Sequence, residues 1–150
     1  MAAFGATAAP GQARVASAAP AAPAAACGTT NLALSKTATA SSLENAGFPA
    51  SAAVDGNLGT RWSSAFSDPQ WLEVDLGSTQ TICQVVLNWE TAYGKAFQLQ
   101  TSPGGSTWTT IYSTTTGTGG TQTLSVTGSG RYIRMYGTTR ATQYGYSLWE

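Results

Sequence analysis

The sequence predicts an all-β fold, a sandwich or barrel of short antiparallel strands, and three observations carry that expectation. Apolar and polar residues alternate with a period of two. Turn-forming residues separate the alternating runs at fairly even spacing. No amphipathic helical window stands among them, the only weak helical hint being the short segment SSLENAGF. In WLEVDLG, Leu72, Val74 and Leu76 alternate with Glu73 and Asp75, as in a strand with one wet face. Cys83, Val85, Leu87 and Trp89 share one parity in CQVVLNWE, as do Phe97 and Leu99 in AFQLQ and Leu124 and Val126 in TQTLSV. Asp68-Pro69, Ser102-Pro103-Gly104-Gly105, 116–120 and 128–130 punctuate these runs. Such spacing fits a sandwich or barrel.

The chain has 150 residues, enough for one domain with a real core. Charged residues make up 9%, seven basic and seven acidic, and there is no histidine. A Ser-His-Asp or Cys-His nucleophile system cannot be built without that residue. A catalytic zinc would have to rely on two cysteines and scattered carboxylates. Zero net charge without a Lys/Arg run argues against nucleic acid and against an anionic membrane surface. No stretch approaches the roughly 18 apolar residues of a membrane span. Few charges among many Thr, Ser and Gly indicate a secreted protein, expected to be monomeric.

Residues 1–26 are more than half Ala, with three Pro and the single charge of Arg14. They read as an Ala/Pro-rich export leader or linker, disordered in either case, and residues 27–150 as the folded module. Aromatic residues of such a fold are mostly core, and Trp62, Trp71, Trp89, Trp108 and Trp149 are expected there. Tyr93 and Tyr144 differ, because they sit in the Gly-flanked loops TAYGK and TQYGYS, where no alternation requires them. Exposed loop aromatics are candidates for ligand contact.

From about Asn31 to Glu150 the ordered motifs NLALSKTATASS, AVDGNLGTRWSS, QWLEVDLGS, SPGGSTWTTIYS, RYIRMYG and YGYSLWE resemble the discoidin, or coagulation-factor-type C, domain family. Within it the chain is most similar to the family 32 carbohydrate-binding modules of secreted bacterial glycoside hydrolases. The resemblance implies a jelly-roll β-sandwich of about eight antiparallel strands. It also implies a non-catalytic module that holds a covalently linked hydrolase on chitosan or a glucan. Family members continue for some residues beyond the point where this sequence stops, at LWE, so a truncated closing strand is expected.

The resemblance further places a structural Ca²⁺ in the AVDGNLGTRWSS loop. The local chemistry agrees, since Ca²⁺ takes about six to eight oxygen ligands. Asp55 offers a carboxylate and Thr60 a hydroxyl, the turn can aim the carbonyls of Ala52, Asn57 and Thr60 inward, and Glu150 can close the shell. Arg61, next in sequence, would be held rigidly and could reach sugar hydroxyls with its planar donors. Glu44 and Glu90 fall in loops the family places at the same end, where each could accept from hydroxyl or amino groups. Tyr144 completes the expected sugar site, with Tyr93, Tyr146 and Phe66 as walls. Two carboxylates near one Arg favour an amino sugar slightly over neutral glucose.

Two other readings compete. Glu44 and Glu90 as a glycosidase pair would need one raised pKa and a separation of about 5 to 9.5 Å. A lipid-binding or adhesion domain would use Phe48 and Phe66 as spikes, but no basic collar accompanies them. Cys27 and Cys83, the only cysteines of an apparently exported chain, are expected to form a disulfide. A lipid-modified Cys27 or a buried thiol at Cys83 are the alternatives.

Overall fold

The computed structural model describes residues 27–150; the leader or linker expected at 1–26 lies outside the described residues. Among the described residues seven strands form: β1 (Thr37–Ala40), β2 (Trp62–Ser63), β3 (Gln70–Asn88), β4 (Gly94–Ser102), β5 (Thr109–Thr114), β6 (Thr121–Arg140) and β7 (Ser147–Leu148). One antiparallel sheet has the order β1-β3-β6-β4-β5, and β2 pairs with β7 in a second. An isolated bridge, Trp89↔Leu148, ties the end of β3 to β7. The fold is all-β, as expected. Seven strands rather than about eight arise because β3 and β6 run 19 and 20 residues, continuing through register shifts where separate strands were expected. Each irregularity locally bends and twists the strand.

Alternation translates directly into burial in the first half of β3, where Leu72, Val74 and Leu76 face the core. Phe97 and Leu99 of β4 are each 1% exposed. In the second half of β3 a single parity fails. A register shift between Ile82 and Gln84 turns Ile82 inward ahead of Leu87 and Trp89, while Cys83 and Val85 are only half-buried. The helical hint yields no α-helix; only a 3-10 turn forms downstream, at Ala50–Ala53.

The core closes over Trp62 from β2 and Leu148 from β7, which are paired across the small sheet and lie against Phe97, Leu99 and Met135. Of the five tryptophans only Trp62 and Trp89 are buried; Trp71, Trp108 and Trp149 are half-exposed, contrary to expectation. A disulfide joins Cys27 to Cys83 with a Cα–Cα distance of 6.0 Å, pinning the start of the described chain to β3.

Candidate functional site

Between β1 and β2 the chain makes two small turns before it enters the second sheet, and these turns build the site. Asn45 accepts from the Gly47 N–H at 2.8 Å through its side chain. The loop is then laid along β2, because the Glu44 N–H donates to the Ser63 carbonyl at 2.7 Å. On the far side of β2, Ser63 pairs with Ser147 of β7, and the Glu90 N–H donates to the Ser147 carbonyl at 3.0 Å. The expected sugar ligands Glu44 and Glu90 therefore flank the two-stranded sheet, with Arg61 entering β2 between them.

Arg61 is fixed from three sides. Its Nη1 donates to the Ser147 hydroxyl at 2.8 Å, and that hydroxyl donates onward to the Trp62 carbonyl at 2.9 Å. The guanidinium lies 4.0 Å from the Phe48 ring centroid and 5.7 Å from that of Trp149. Two aromatic faces hold the cation while its edge donors remain directed by geometry. Phe48 is thus a clamp for Arg61 rather than a protruding spike. Trp149, Ser147 and Phe48 are the members that sequence reading did not assign. Trp149 could have been found from the pairing of β2 with β7, because continuing the register Trp62↔Leu148 by one step puts Arg61 opposite Trp149.

Glu90 folds back, its Oε2 accepting from the Ala92 N–H at 2.9 Å. Partial burial pushes this carboxyl up, but the Ala92 and Thr91 N–H groups and the Arg61 charge together bring it below its ordinary value. An acid held ionised is the opposite of the raised-pKa proton donor that glycoside hydrolysis requires. The backbones of Glu44 and Glu90 also stand three strand spacings apart, roughly 14 Å.

Beyond the other end of β2, Phe66 and Tyr144 are 48% and 52% exposed and meet edge to face at 5.5 Å. Their loops are stapled by Arg140, which pairs with Asp68 at 3.2 Å and donates to the Gln143 and Tyr144 carbonyls at 3.1 and 3.2 Å. Arg61 and Phe66 are five residues apart, so the strip between them spans no more than about 18 Å. Tyr146 is a correction. It is fully buried, its phenol donates to Asp68, and burial and that carboxylate hold its pKa well above the ordinary tyrosine range. The ring fits because residue 137 is Gly, where any Cβ would overlap it. Tyr146 supports the Tyr144 loop from below and is no wall of the site. Tyr93 is half-buried, packed against the core and over Gly119.

The expected calcium loop lies beside this strip. Asp55 accepts from the Asn57 N–H at 2.8 Å and from the Thr60 hydroxyl at 2.6 Å, while the Asn57 carbonyl accepts from the Thr60 N–H at 3.1 Å. Glu150 reaches the loop from the far end of the chain, its Oε1 accepting from the Gly56 N–H at 2.9 Å. Its Oε2 is buried without a hydrogen-bond partner. Burial and the nearby Asp55 charge push this carboxyl above its ordinary value, against the pull of the Gly56 and Asp55 N–H groups. Ala52 is buried under the loop. Among the described residues no three His, Cys, Asp or Glu side chains cluster, so a cation here would draw on backbone carbonyls for most of its shell. Asp55 and Thr60 of this loop line one depression of about 590 Å³ together with Phe48, Arg61 and Trp149.

Comparison with known proteins agrees with this architecture. The family model of the F5/8 type C domain matches residues 37–150. Chitosan-binding module 1 of a chitosanase/glucanase from Paenibacillus sp. IK-5 is 54% identical, with a TM-score of 0.78 over 81% of this chain and 96% of that one. Chitosan-binding module 2 of the same enzyme, solved in complex with chitotriose, is 52% identical, with a TM-score of 0.77 over 80% and 96% of the two chains. A family 32 carbohydrate-binding module of NanJ from C. perfringens shares the fold at 22% identity and a TM-score of 0.67, covering 77% of this chain and 90% of that one. A polysaccharide lyase 8 family protein, HylA, from Enterococcus faecalis is 38% identical over 71 residues, which are 47% of this chain and only 5% of that protein. With its model matched from β1 to the last residue, and with the fold and loop architecture described above, the chain belongs to the F5/8 type C domain family.

Proposed function

We propose that the domain is a non-catalytic carbohydrate-binding module whose loop end takes an amino-sugar oligosaccharide of the chitosan class. It would act outside the cell, holding a linked polysaccharide hydrolase at its substrate and raising local concentration rather than lowering a barrier. The observation that carries this reading is the clamped Arg61, whose guanidinium is fixed by Phe48, Trp149 and Ser147 with Glu44 and Glu90 on either side. Fixed donors suit hydroxyls, the flanking carboxylates suit ammonium groups, and the exposed Phe66–Tyr144 pair offers apolar faces to pyranose rings. The two Paenibacillus modules, named for binding chitosan, support the same assignment. Calorimetry with chitotriose and cellotriose tests it. Arg61→Ala should remove measurable chitotriose binding, while Glu44→Ala and Glu90→Ala should each cost about 1 to 3 kcal/mol with chitotriose and less with cellotriose. Undiminished chitotriose binding by Arg61→Ala would overturn the site.

We further propose that Asp55, Thr60 and Glu150, with the carbonyls of Ala52, Asn57 and Thr60, hold a structural Ca²⁺. The unpartnered Glu150 Oε2 supports it, because a buried carboxylate oxygen without a donor is costly and a cation satisfies it. The ion would tie the two chain segments on which Arg61 and Trp149 sit.

A further inference from the structure

The outward face of the five-stranded sheet is unlike an ordinary solvated face. Because Leu72, Val74 and Met135 point into the core, Trp71, Glu73, Arg134 and Tyr136 point out. The register aligns them in rows: Trp71 pairs with Tyr136 and Tyr136 with Gln98, while Glu73 pairs with Arg134, Arg134 with Gln100 and Gln100 with Thr110. The first half of β6 shows what a merely wet strand looks like here. Its exposed positions are Thr121, Thr123, Ser125, Thr127 and Ser129.

On this face the Arg134 guanidinium stands 4.0 Å from the Trp108 ring centroid and 4.9 Å from that of Tyr136. Its Nε donates to Gln100 Oε1 at 2.7 Å, Gln100 Nε2 donates to Gln98 Oε1 at 2.7 Å, and the Thr110 hydroxyl donates to the same oxygen at 3.2 Å. The chain of bonds, running across β6, β4 and β5, fixes both amides of β4 and consumes their acceptors. It leaves donors at both ends, since the terminal nitrogens of Arg134 and the amide nitrogen of Gln98 have no protein acceptor among the described residues. Trp71 is half-exposed, and neither another ring nor a cation stacks on it among the described residues, so part of its surface is open to a ligand. The neighbouring cation is already spent, because Arg131 makes a two-pronged pair with Asp75 at 2.8 Å on each arm.

We propose that this face is a second carbohydrate site, specific for a neutral β-glucan chain, with Trp71 and Tyr136 as the platform and Arg134 and Gln98 as the donors. Aromatic rings cover the apolar C–H faces of hexoses, and immobilised N–H groups meet their hydroxyls. A neutral polymer fits because Glu73 sits opposite Arg134 and Asp75 neutralises Arg131, so the face offers no surplus charge of either sign. The site shares no residue with the loop end, so either proposal can fail without the other.

The test is calorimetry on the described domain with cellohexaose for the sheet face and chitotriose for the loop end. Arg61→Ala should bind cellohexaose within about twofold of the unmodified protein, as independent sites do. Trp71→Ala and Gln98→Ala should each weaken cellohexaose by about tenfold while leaving chitotriose binding unchanged. Gln98→Ala keeps every ring in place, and melting curves identify a Trp71→Ala protein that has merely lost its fold. Loss of cellohexaose binding in Arg61→Ala, or full retention in both sheet-face variants, would overturn the proposal. So would an absence of cellohexaose binding together with a concentration-dependent dimer that Trp71→Ala dissolves, which would assign the face to a second copy of this chain.

Discussion

The loop end and the sheet face each hold an arginine between aromatic rings, but they are assembled by different means. Arg61 is clamped by Phe48 from the preceding loop and by Trp149 and Ser147 from the far end of the chain. Arg134 is held by Tyr136, two residues away, by Gln100, directly opposite on β4, and by Trp108 just before β5. The first arrangement depends on closing loops of some ninety residues; the second follows from strand parity and neighbouring register. A site of the first kind is sensitive to whatever positions the loops, whereas one of the second kind persists as long as the sheet does. Perturbations that loosen loops should therefore separate the two.

The largest expected effect is the control that should not separate them. Cys27 and Cys83 close a loop of 56 residues, and the chain-entropy relation gives about 4 kcal/mol for such a bridge. A Cys27→Ser, Cys83→Ser double variant should melt roughly 15 °C lower, and the ligands of both regions should dissociate together at that transition. Thermal melts followed by calorimetry and by tryptophan fluorescence check this. A loop-end transition well below the global one would show that the bridge supports only part of the fold.

What the sequence made legible follows the same division. The inward and outward sides of β3 can be read from Leu72, Val74 and Leu76 against Trp71, Glu73 and Asp75, because burial there follows a period of two. The pairing of Glu73 with Arg134 cannot, since it depends on register shifts near Asp75 and Ile82 that carry no clear local signal. Trp71 and Trp108 are large β-formers, and a strand pattern admits such residues on either face. Arg61, Glu44 and Glu90 were suggested only by resemblance to a family, and the fold does bring their segments beside β2 and β7. Tyr144 and Tyr146 flank the same glycine in YGY, yet one is exposed and the other lies over Gly137. Their different fates are decided by a strand distant in sequence.

Calcium should separate the regions. Ion bound at a hundredfold excess over its Kd stabilises by about 2.7 kcal/mol, so millimolar Ca²⁺ should raise Tm by several degrees over a chelated sample. Asp55→Ala should abolish that response. Chelation should weaken chitotriose through a looser Arg61 loop and leave cellohexaose on the sheet face unaffected. An unchanged melt after verified removal of the ion, or equal weakening of both sugars, would break the comparison at this point.

Acid provides the smallest effect and the finest distinction, because Asp75 beside the sheet face and Glu150 at the calcium loop titrate with opposite signs. Beside the sheet face, the Arg131 hydrogen bonds and the Gly77 N–H lower Asp75 to about 2. A depressed folded-state pKa means a contribution that is present above the unfolded value and lost as the pH falls from about 4 toward about 2. Glu90 at the loop end has the same sign, lowered despite its burial by the Ala92 and Thr91 N–H groups and Arg61. Glu150 is opposite: burial and Asp55 raise it, so its ionisation costs stability as the pH climbs through the folded value, and bound calcium would remove that cost. Melting curves from pH 6 to pH 2, run with chelator, should therefore show Asp75→Asn flattening the acid limb below about pH 4. Glu150→Gln should instead raise Tm near neutrality and have little effect in acid, and the gain should vanish when calcium is added to both proteins. If Glu150→Gln lowers Tm at neutral pH in chelator, the carboxylate is stabilising without an ion and the calcium assignment fails, while the Asp75 result still reports on the sheet alone.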